Sequence, residues 1–243
     1  KNNLSELVKL GVATPDHVIR TKARPLLLDH FGEKDDIDAW LKNAESKIIK
    51  YIKDYEEYFI RNSRLSNDTK TQLDPLPRLV LIPEIGLIGL GDDKKSSKIA
   101  ADIGQAWIET LLSACSIGKF SPVGEKDTFD LEYWSLEQAK LNKQATKILE
   151  GNIVAITGAG GAIGAAIAQE FSSQGAEIVC IDLSKESAIK TAKKCGPNAI
   201  ALGCDVTNKK QLEETFNNII YNYGGLDLLI SNAGSAWEGE LSN

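Results

Sequence analysis

The stretch "ITGAGGAIGAAIA", residues 156–168, decides how the second half of this sequence folds. It follows the apolar run "NIVAIT" and opens into an Ala- and Ile-rich segment, so its glycines stand between a strand and a helix. A phosphate cradle needs that setting. Glycine lets the turn be tight and lets a pyrophosphate approach the backbone, while the first turn of the helix offers unpaired N–H groups and the positive end of its dipole. Asp182 ends the next apolar run, "EIVCID", about 24 residues beyond Gly158, where a carboxylate can hydrogen-bond the hydroxyls of an adenine ribose. The same charge repels a 2′-phosphate, so NAD is expected in preference to NADP. Asp205 and Asn232 close the two following runs, which gathers polar groups at the C-terminal edge of the expected sheet.

Working outward, "NIVAIT" (152–157), "EIVCID" (177–182), "AIALGCDVT" (199–207) and "LDLLIS" (226–231) read as buried strands. Between them "GAIGAAIAQEFSSQG", "KESAIKTAKKCG" and "KKQLEETFNNIIYNYGG" read as helices. Strand-helix alternation with continuous apolar runs predicts an α/β fold, a doubly wound parallel sheet of the Rossmann type, over residues 150–243. The pattern changes character near Glu150, so residues 1–149 are expected to form a separate α+β module. In that module, Asp35 and Asp36 suit a helix start. Ile37, Trp40, Leu41, Ala44, Ile48, Ile52, Tyr55 and Phe59 then draw one apolar stripe, with Lys42, Lys47, Lys50 and Lys53 on the wet side. Residues 61–77 read as a loop, "RLVLI" (78–82) and "GLIGLG" (86–91) as short strands, and Lys94 to Ser116 as a helix. "FSPVGEKDTFD" (120–130) is loop-like, and "LEYWSLEQAKLNKQATKILEGN" (131–152) mainly helical. "GLIGLG" imitates a glycine cradle. Leu87, Ile88 and Leu90 fill it with apolar side chains, however, which suits a hairpin strand.

The totals narrow the field of partners. Of 243 residues, 42% are hydrophobic and 26% charged, the balance of a globular protein able to bury a core. A net charge of −6 with no basic stripe argues against nucleic acid. No apolar run is long enough to span a membrane, and the first residues lack the apolar core of a signal peptide, so a cytoplasmic location is expected. Cys115, Cys180, Cys195 and Cys204 match neither a CxxC pair nor a zinc ribbon, and read as buried free thiols. The chain starts at Lys1 and contains no Met, and is read as part of a longer polypeptide.

Thr157, Gly158, Gly160, Gly161 and Gly164, with Asp182, "CDVT" (204–207) and "SNAG" (231–234), resemble the short-chain dehydrogenase/reductase family. The loop fits TGxxGxxG, with Ala162 where the commoner TGxxxGxG has glycine; the Asn-Ala-Gly turn points to the simpler subfamily. The resemblance implies that the glycine loop and Ile163 hold the pyrophosphate, that Asp182 binds ribose, and that Asp205 and Val206 meet the adenine. The turn Asn232-Ala233-Gly234 would support the sheet beside the cofactor. It also implies a Tyr-x-x-x-Lys pair for acid/base catalysis. None occurs; Tyr221 and Tyr223 precede the fourth strand, so no catalytic residue is expected within these 243 positions.

"GVATPDHVIRTKARPL" (11–26), "PRLVLIPEIGLIGLG" (77–91) and "FDLEYWSLEQAKL" (129–141), running into a dehydrogenase-like half, resemble the bifunctional rhamnulose-1-phosphate aldolase/alcohol dehydrogenase proteins. Aldolases of that class hold zinc on three histidines. Here only His17 and His30 are present, so no metal site is expected. His17, flanked by Asp16, Arg20 and Lys22, offers a cluster that could meet a sugar phosphate or serve as an ordinary hydrogen-bonded surface; His30 beside Asp29 reads as structural. The expected function is thus an NAD-dependent oxidoreductase acting on a small alcohol or aldehyde, part of a bifunctional sugar-phosphate aldolase/dehydrogenase, with a small-molecule alcohol, aldehyde or sugar phosphate as substrate. The rival reading is a non-catalytic dinucleotide-binding or interaction module. Assembly as a homo-oligomer stays open.

Overall fold

The computed structural model describes residues 4–32, 36–66, 68–136 and 147–235. The chain separates into two compact units, Lys1–Gly91 with Lys95–Gln144, and Asp92–Lys94 with Ala145–Asn243.

The first unit contains α1 (Leu4–Leu7), a 3-10 turn (Pro15–His17), α2 (Val18–Thr21), β1 (Leu26–Leu27) and α3 (Ile37–Ser63). After these come β2 (Leu79–Ile82), β3 (Gly86–Gly89), α4 (Lys94–Ile117) and α5 (Glu125–Glu132). β2 is central, parallel to β1 and antiparallel to β3. Its residues alternate between two packed faces. Val80 and Ile82 meet Ala44, Trp40 and Ile48 of α3, whereas Leu81 meets Trp107 and Leu111 of α4. "GLIGLG" is the predicted hairpin strand. Gly89 and Gly91 serve packing, since a Cβ there would lie 2.3 Å from the carbonyl oxygen and 2.4 Å from the nitrogen of Ser97, respectively.

Helix α3 begins where the carboxylate of Asp36 accepts the N–H of Asp38, as the sequence suggests. Its buried face differs from the expected stripe. Ile37 and Leu41 are exposed, Ala44 and Tyr55 of the stripe are buried, and Tyr58 and Asn62, outside the stripe, are buried with them. The tyrosines and Asn62 go inside because their polar tips find partners there, a condition that apolar periodicity does not register. A second correction falls on "FSPVGEKDTFD", whose latter part is helix α5. Gly124 is extended at its N-cap, Glu125 and Asp127 occupy the first turn, and Phe129 is buried against Tyr58 and Tyr133. Of the long helix expected over 131–152, residues 137–146 lie outside the described residues, and 148–151 are turns.

In the second unit, β4 (Ile153–Thr157), α6 (Ala162–Ser173), β5 (Glu177–Asp182), α7 (Lys185–Cys195), β6 (Ile200–Gly203), α8 (Lys209–Tyr223) and β7 (Leu228–Ile230) alternate as predicted. All strands are parallel, in the order β6-β5-β4-β7. Both faces of the sheet are covered. Val154, Ile156, Ile178 and Cys180 pack with Ala168 of α6 and Ala188 of α7, while Ala155, Val179 and Ile181 pack with Ile219 of α8. Each of the larger aliphatic side chains contributes roughly 1.5–3 kcal/mol by burial.

The doubly wound sheet is therefore present, with three departures in detail. The third strand stops at Gly203, and Cys204 to Thr207 form the turn into α8. β7 is one of the two edge strands among the described residues, and Leu228 and Leu229 are exposed although an apolar run suggests burial. The four thiols are free, yet only Cys180 and Cys204 are buried; Cys115 is exposed and Cys195 half-buried.

Candidate dinucleotide site at the sheet switch point

From β4 the chain steps outward to β5 and β6, then returns past β4 to place β7 on the opposite side. The strand order therefore reverses between β4 and β7, and ligands of open α/β sheets bind outside the carboxyl ends of the strands at such a point. The glycine loop lies there, joining β4 to α6.

Three backbone N–H groups of this loop are satisfied internally. Ala159 N–H donates to the Ile181 carbonyl (3.0 Å), Gly160 N–H to Oδ2 of Asp182 (2.8 Å) and Gly161 N–H to the Gly158 carbonyl (3.2 Å). Ala165 N–H makes the first intrahelical bond, to the Gly161 carbonyl. The N–H groups of Ala162, Ile163 and Gly164 then have no carbonyl one turn earlier in α6, and supply the positive end of the helix.

The glycines differ in how strictly they are required. Gly158 has φ +64°, and a Cβ there would press on Ala233 and Asn232. At Gly164 a Cβ would lie 2.3 Å from the carbonyl oxygen of Gly158 and 2.9 Å from Cα of Ala159. At Gly160 it would meet Ser187 at 2.5 Å and Asp182 at 2.9 Å. Gly161 is freer, with its nearest contact at 3.4 Å, and Ala162 is exposed, so its methyl group displaces nothing.

Asp182 spans the base of the loop. Its Oδ2 accepts Gly160 N–H and its Oδ1 accepts Ser184 N–H at 2.9 Å, which fixes the carboxylate between the loop and the start of α7. From the other side Asn232 pins the loop, its Nδ2 donating to the carbonyls of Thr157 (3.0 Å) and Gly158 (3.3 Å). Two further residues have roles that sequence reasoning did not assign. Thr157 Oγ1 accepts N–H bonds from both Asn232 and Ala233 at 3.0 Å, tying β7 to β4. Thr191 Oγ1 donates to the Ala159 carbonyl at 2.8 Å. Thr157 was legible only as part of a motif, and Thr191 carried no signal because its partner lies 32 residues away.

Gly158, Gly160, Gly164, Asp182, Asn232 and Ala233 are thus brought together by direct contact. Gly161 joins them through the loop bond already given, while Ile163, 71% exposed, stands on the open first turn of α6. Asp205 and Val206 lie past the end of β6, where Cys204 N–H donates to the Asp182 carbonyl and so sets them beside the end of β5. The Asp205 carboxyl accepts the hydroxyl and N–H of Thr207, which hold its pKa below the usual carboxylate value. Gly234 follows Ala233 with open space around it. Tyr221 is exposed and the Tyr223 hydroxyl donates to the Asn198 carbonyl, away from the loop's contacts. Replacing Asn232 by Ala is expected to cost about 1–3 kcal/mol, because the Thr157 and Gly158 carbonyls lose their donor. Urea denaturation monitored on this unit checks it, and a loss below about 0.5 kcal/mol would show that the pin is idle.

In the first unit His17 closes the 3-10 turn and lines a cavity of about 50 Å³ with Thr14, Thr21 and Trp107. Lys22, one member of the cluster read around it, lines the same cavity. Lys22 is buried, with its ammonium 3.5 Å from Glu132. His30 Nδ1 is 3.2 Å from the Pro83 carbonyl oxygen, an arrangement in keeping with a structural role. Among the described residues no three His, Cys, Asp or Glu side chains form a group able to hold a metal ion, and no helix is long and apolar enough to cross a membrane.

Residues 1–141 match the family model described as "Aldolase class II, second domain", and residues 152–243 match "short chain dehydrogenase". The chain is 30% identical over 236 residues to "Uncharacterized oxidoreductase YuxG" of Bacillus subtilis (strain 168), covering 95% of this chain and 34% of that protein. It is 37% identical over 107 residues to "Elsinochrome reductase 1" of Elsinoe fawcettii, covering 42% of this chain and 40% of that protein. Among solved structures, the hydroxysteroid dehydrogenase from Escherichia coli matches 39% of this chain and 42% of its own at 32% identity, with a TM-score of 0.37. The chain spans only about a third to two fifths of the curated relatives it matches.

Proposed function

We propose, from the premise that the chain belongs to the aldolase class II second-domain family and that its residues 152–243 match the short-chain dehydrogenase family, that it carries the cofactor half of a nicotinamide-dependent oxidoreductase. The carrying observation is the cradle itself. Asp182, Asn232 and Thr157 hold a loop in which Gly158, Gly160 and Gly164 leave no room for a Cβ, at the point where the strand order reverses.

In this reading the pyrophosphate rests on the first turn of α6 at Gly161, Ile163 and Gly164, and Asp182 accepts the ribose hydroxyls. Asp205 and Val206 border the adenine, and Asn232, Ala233 and Gly234 back the nicotinamide side. The nicotinamide, when bound, supplies the hydride acceptor. The substrate is a small alcohol or aldehyde, and the module of residues 1–141 belongs to a sugar-phosphate aldolase portion of the same polypeptide. Calorimetric titration of the chain with NADH tests the reading; absence of binding at millimolar concentration with the fold intact would overturn it.

NAD is preferred to NADP because the charge of Asp182 opposes a 2′-phosphate. Since Asp182 also accepts Gly160 N–H, two variants are required to separate selectivity from scaffolding. Asp182→Asn removes the charge and, with its amide oxygen turned to Gly160 N–H, gives up only the acceptor for Ser184 N–H. It is expected to weaken NADH about 10-fold, the loss of one charge-assisted hydrogen bond, and to leave NADPH unchanged or tighter. An unchanged NADH-to-NADPH ratio in Asp182→Asn would remove the assignment, whereas equal weakening of both in Asp182→Ala alone would reflect only the loosened loop.

A further inference from the structure

Lys22 has φ +63° and ψ 170°, a region of backbone space that is essentially reserved for glycine and costs a few kcal/mol for other residues. The surrounding bonds enforce it. Lys22 N–H donates to the Val18 carbonyl, capping α2, and Thr21 Oγ1 donates to the Lys22 carbonyl at 3.1 Å. What the strained backbone secures is the position of the amine. Nζ lies 3.9 Å from the centre of the Tyr55 ring and 3.5 Å from Oε1 of Glu132, a carboxylate with no exposed surface. Tyr55 and Tyr58 hydroxyls donate to the two Glu132 oxygens at 2.8 and 3.0 Å, and Tyr133 Oη sits 2.8 Å from Tyr55 Oη.

This cluster adjoins an open groove of about 740 Å³, within the range of small-molecule sites. Lys22, Tyr55 and Tyr58 line it, together with Arg24, Tyr51 and Arg61, while Glu132 stands behind them. Arg24 forms no ion pair among the described residues, so one cation of the groove is available to an incoming ligand. Burial pulls the pKa of Lys22 below that of an ordinary lysine, and burial pushes that of Glu132 above that of an ordinary glutamate. Both shifts ease the passage of a proton from the ammonium to the carboxylate within this ion pair.

We propose that Lys22 is the nucleophile of a carbonyl-capturing site, adding to the aldehyde or ketone carbon of a small hydroxylated compound in the groove. The ammonium first passes a proton to Glu132. The amine lone pair then forms the C–N bond as the carbonyl π pair moves onto oxygen, which takes the proton from Glu132. The carboxylate next removes a proton from nitrogen, leaving a neutral carbinolamine. Glu132 returns that proton to the hydroxyl, the C–O bond breaks with release of water, and the nitrogen lone pair closes the protonated imine. The balance is one ammonium and one carbonyl giving one iminium and one water. Lysine rather than arginine suits this step, since its amine can be deprotonated by burial and can attack carbon. The inference does not depend on the dinucleotide reading, because its residues belong to the other compact unit.

The test uses the whole wild-type chain, incubated at neutral pH with dihydroxyacetone and sodium cyanoborohydride and mapped by peptide mass spectrometry. The reduced adduct is expected at Lys22 at least about 10-fold ahead of Lys50 and Lys53. Those side chains are 73% exposed, and each is paired with a carboxylate one turn further along α3. Unfolding in guanidinium should erase that preference, and Glu132→Gln, where folded, should slow the Lys22 adduct relative to the surface lysines. Labelling of Lys22 no faster than of Lys50 and Lys53 in the folded wild type overturns the proposal, as does an adduct rate at Lys22 unaffected by unfolding.

Discussion

Replacing Gly164 by alanine is expected to destabilise the sheet unit by about 1–3 kcal/mol and to weaken NADH binding by at least about 10-fold. Two effects of opposite sign compete. Gly164 lies inside α6, where alanine is the better helix former by about 1 kcal/mol. Against that, the new Cβ would stand 2.3 Å from the Gly158 carbonyl oxygen and 2.8 Å from Nδ2 of Asn232. Neither neighbour can yield cheaply. The first is backbone, and Asn232 is already bonded to the Thr157 and Gly158 carbonyls. The steric cost therefore exceeds the helical gain, and relieving it means opening the turn in which the pyrophosphate is proposed to rest.

Gly161→Ala supplies the internal contrast. Its Cβ would meet only the Gly158 oxygen, at 3.4 Å, and its φ is −78°, so a change within about 0.5 kcal/mol and an NADH affinity near wild type are expected. Urea midpoints and NADH titrations of the two variants decide the matter. If Gly164→Ala were as stable as Gly161→Ala and bound NADH equally well, the contact between α6 and the loop would not be as described.

That ranking illustrates what the residues disclose in advance. Within 152–235 the alternation of apolar runs and helical stripes was enough for the doubly wound sheet, because both signals are local and repeated. The motif did not separate Gly164 from Gly161, since the difference is one of packing against Asn232, 68 residues later in the chain. Thr157 is similar; its value comes from two N–H groups on the far side of β7. The first unit was less legible for the same physical reason. Helix α5 is only eight residues long and follows Ser121, Pro122 and Gly124, so its own sequence signals a loop, and it becomes a helix by burying Phe129 among Tyr58, Phe59 and Tyr133. The burial of Lys22 and Glu132 violates the ordinary preference of charged side chains for water, and no pattern within either segment foretells a partner 110 positions away.

Removing one member of that pair should have the largest effect on stability in the chain. Glu132→Ala is expected to cost the first unit about 3–5 kcal/mol, because it leaves the Lys22 ammonium buried without its carboxylate and removes the acceptors of the Tyr55 and Tyr58 hydroxyls. Glu132→Gln retains an amide oxygen for those hydroxyls and should cost less. The double variant Lys22→Met, Glu132→Leu is expected to recover much of the loss, since a pair replaced on both sides by apolar groups of similar volume leaves no charge uncompensated. It would not relax the backbone at position 22, where methionine faces the same positive φ. Lys22→Gly, by contrast, removes the side chain and accepts that φ. Equilibrium unfolding in urea, followed by fluorescence to which Trp40, Trp107 and Trp134 contribute, measures all four. A cost below about 1 kcal/mol for Glu132→Ala would mean that water or another group replaces the carboxylate readily. In that case the strain at Lys22 would no longer be explained by the need to hold its amine against Glu132.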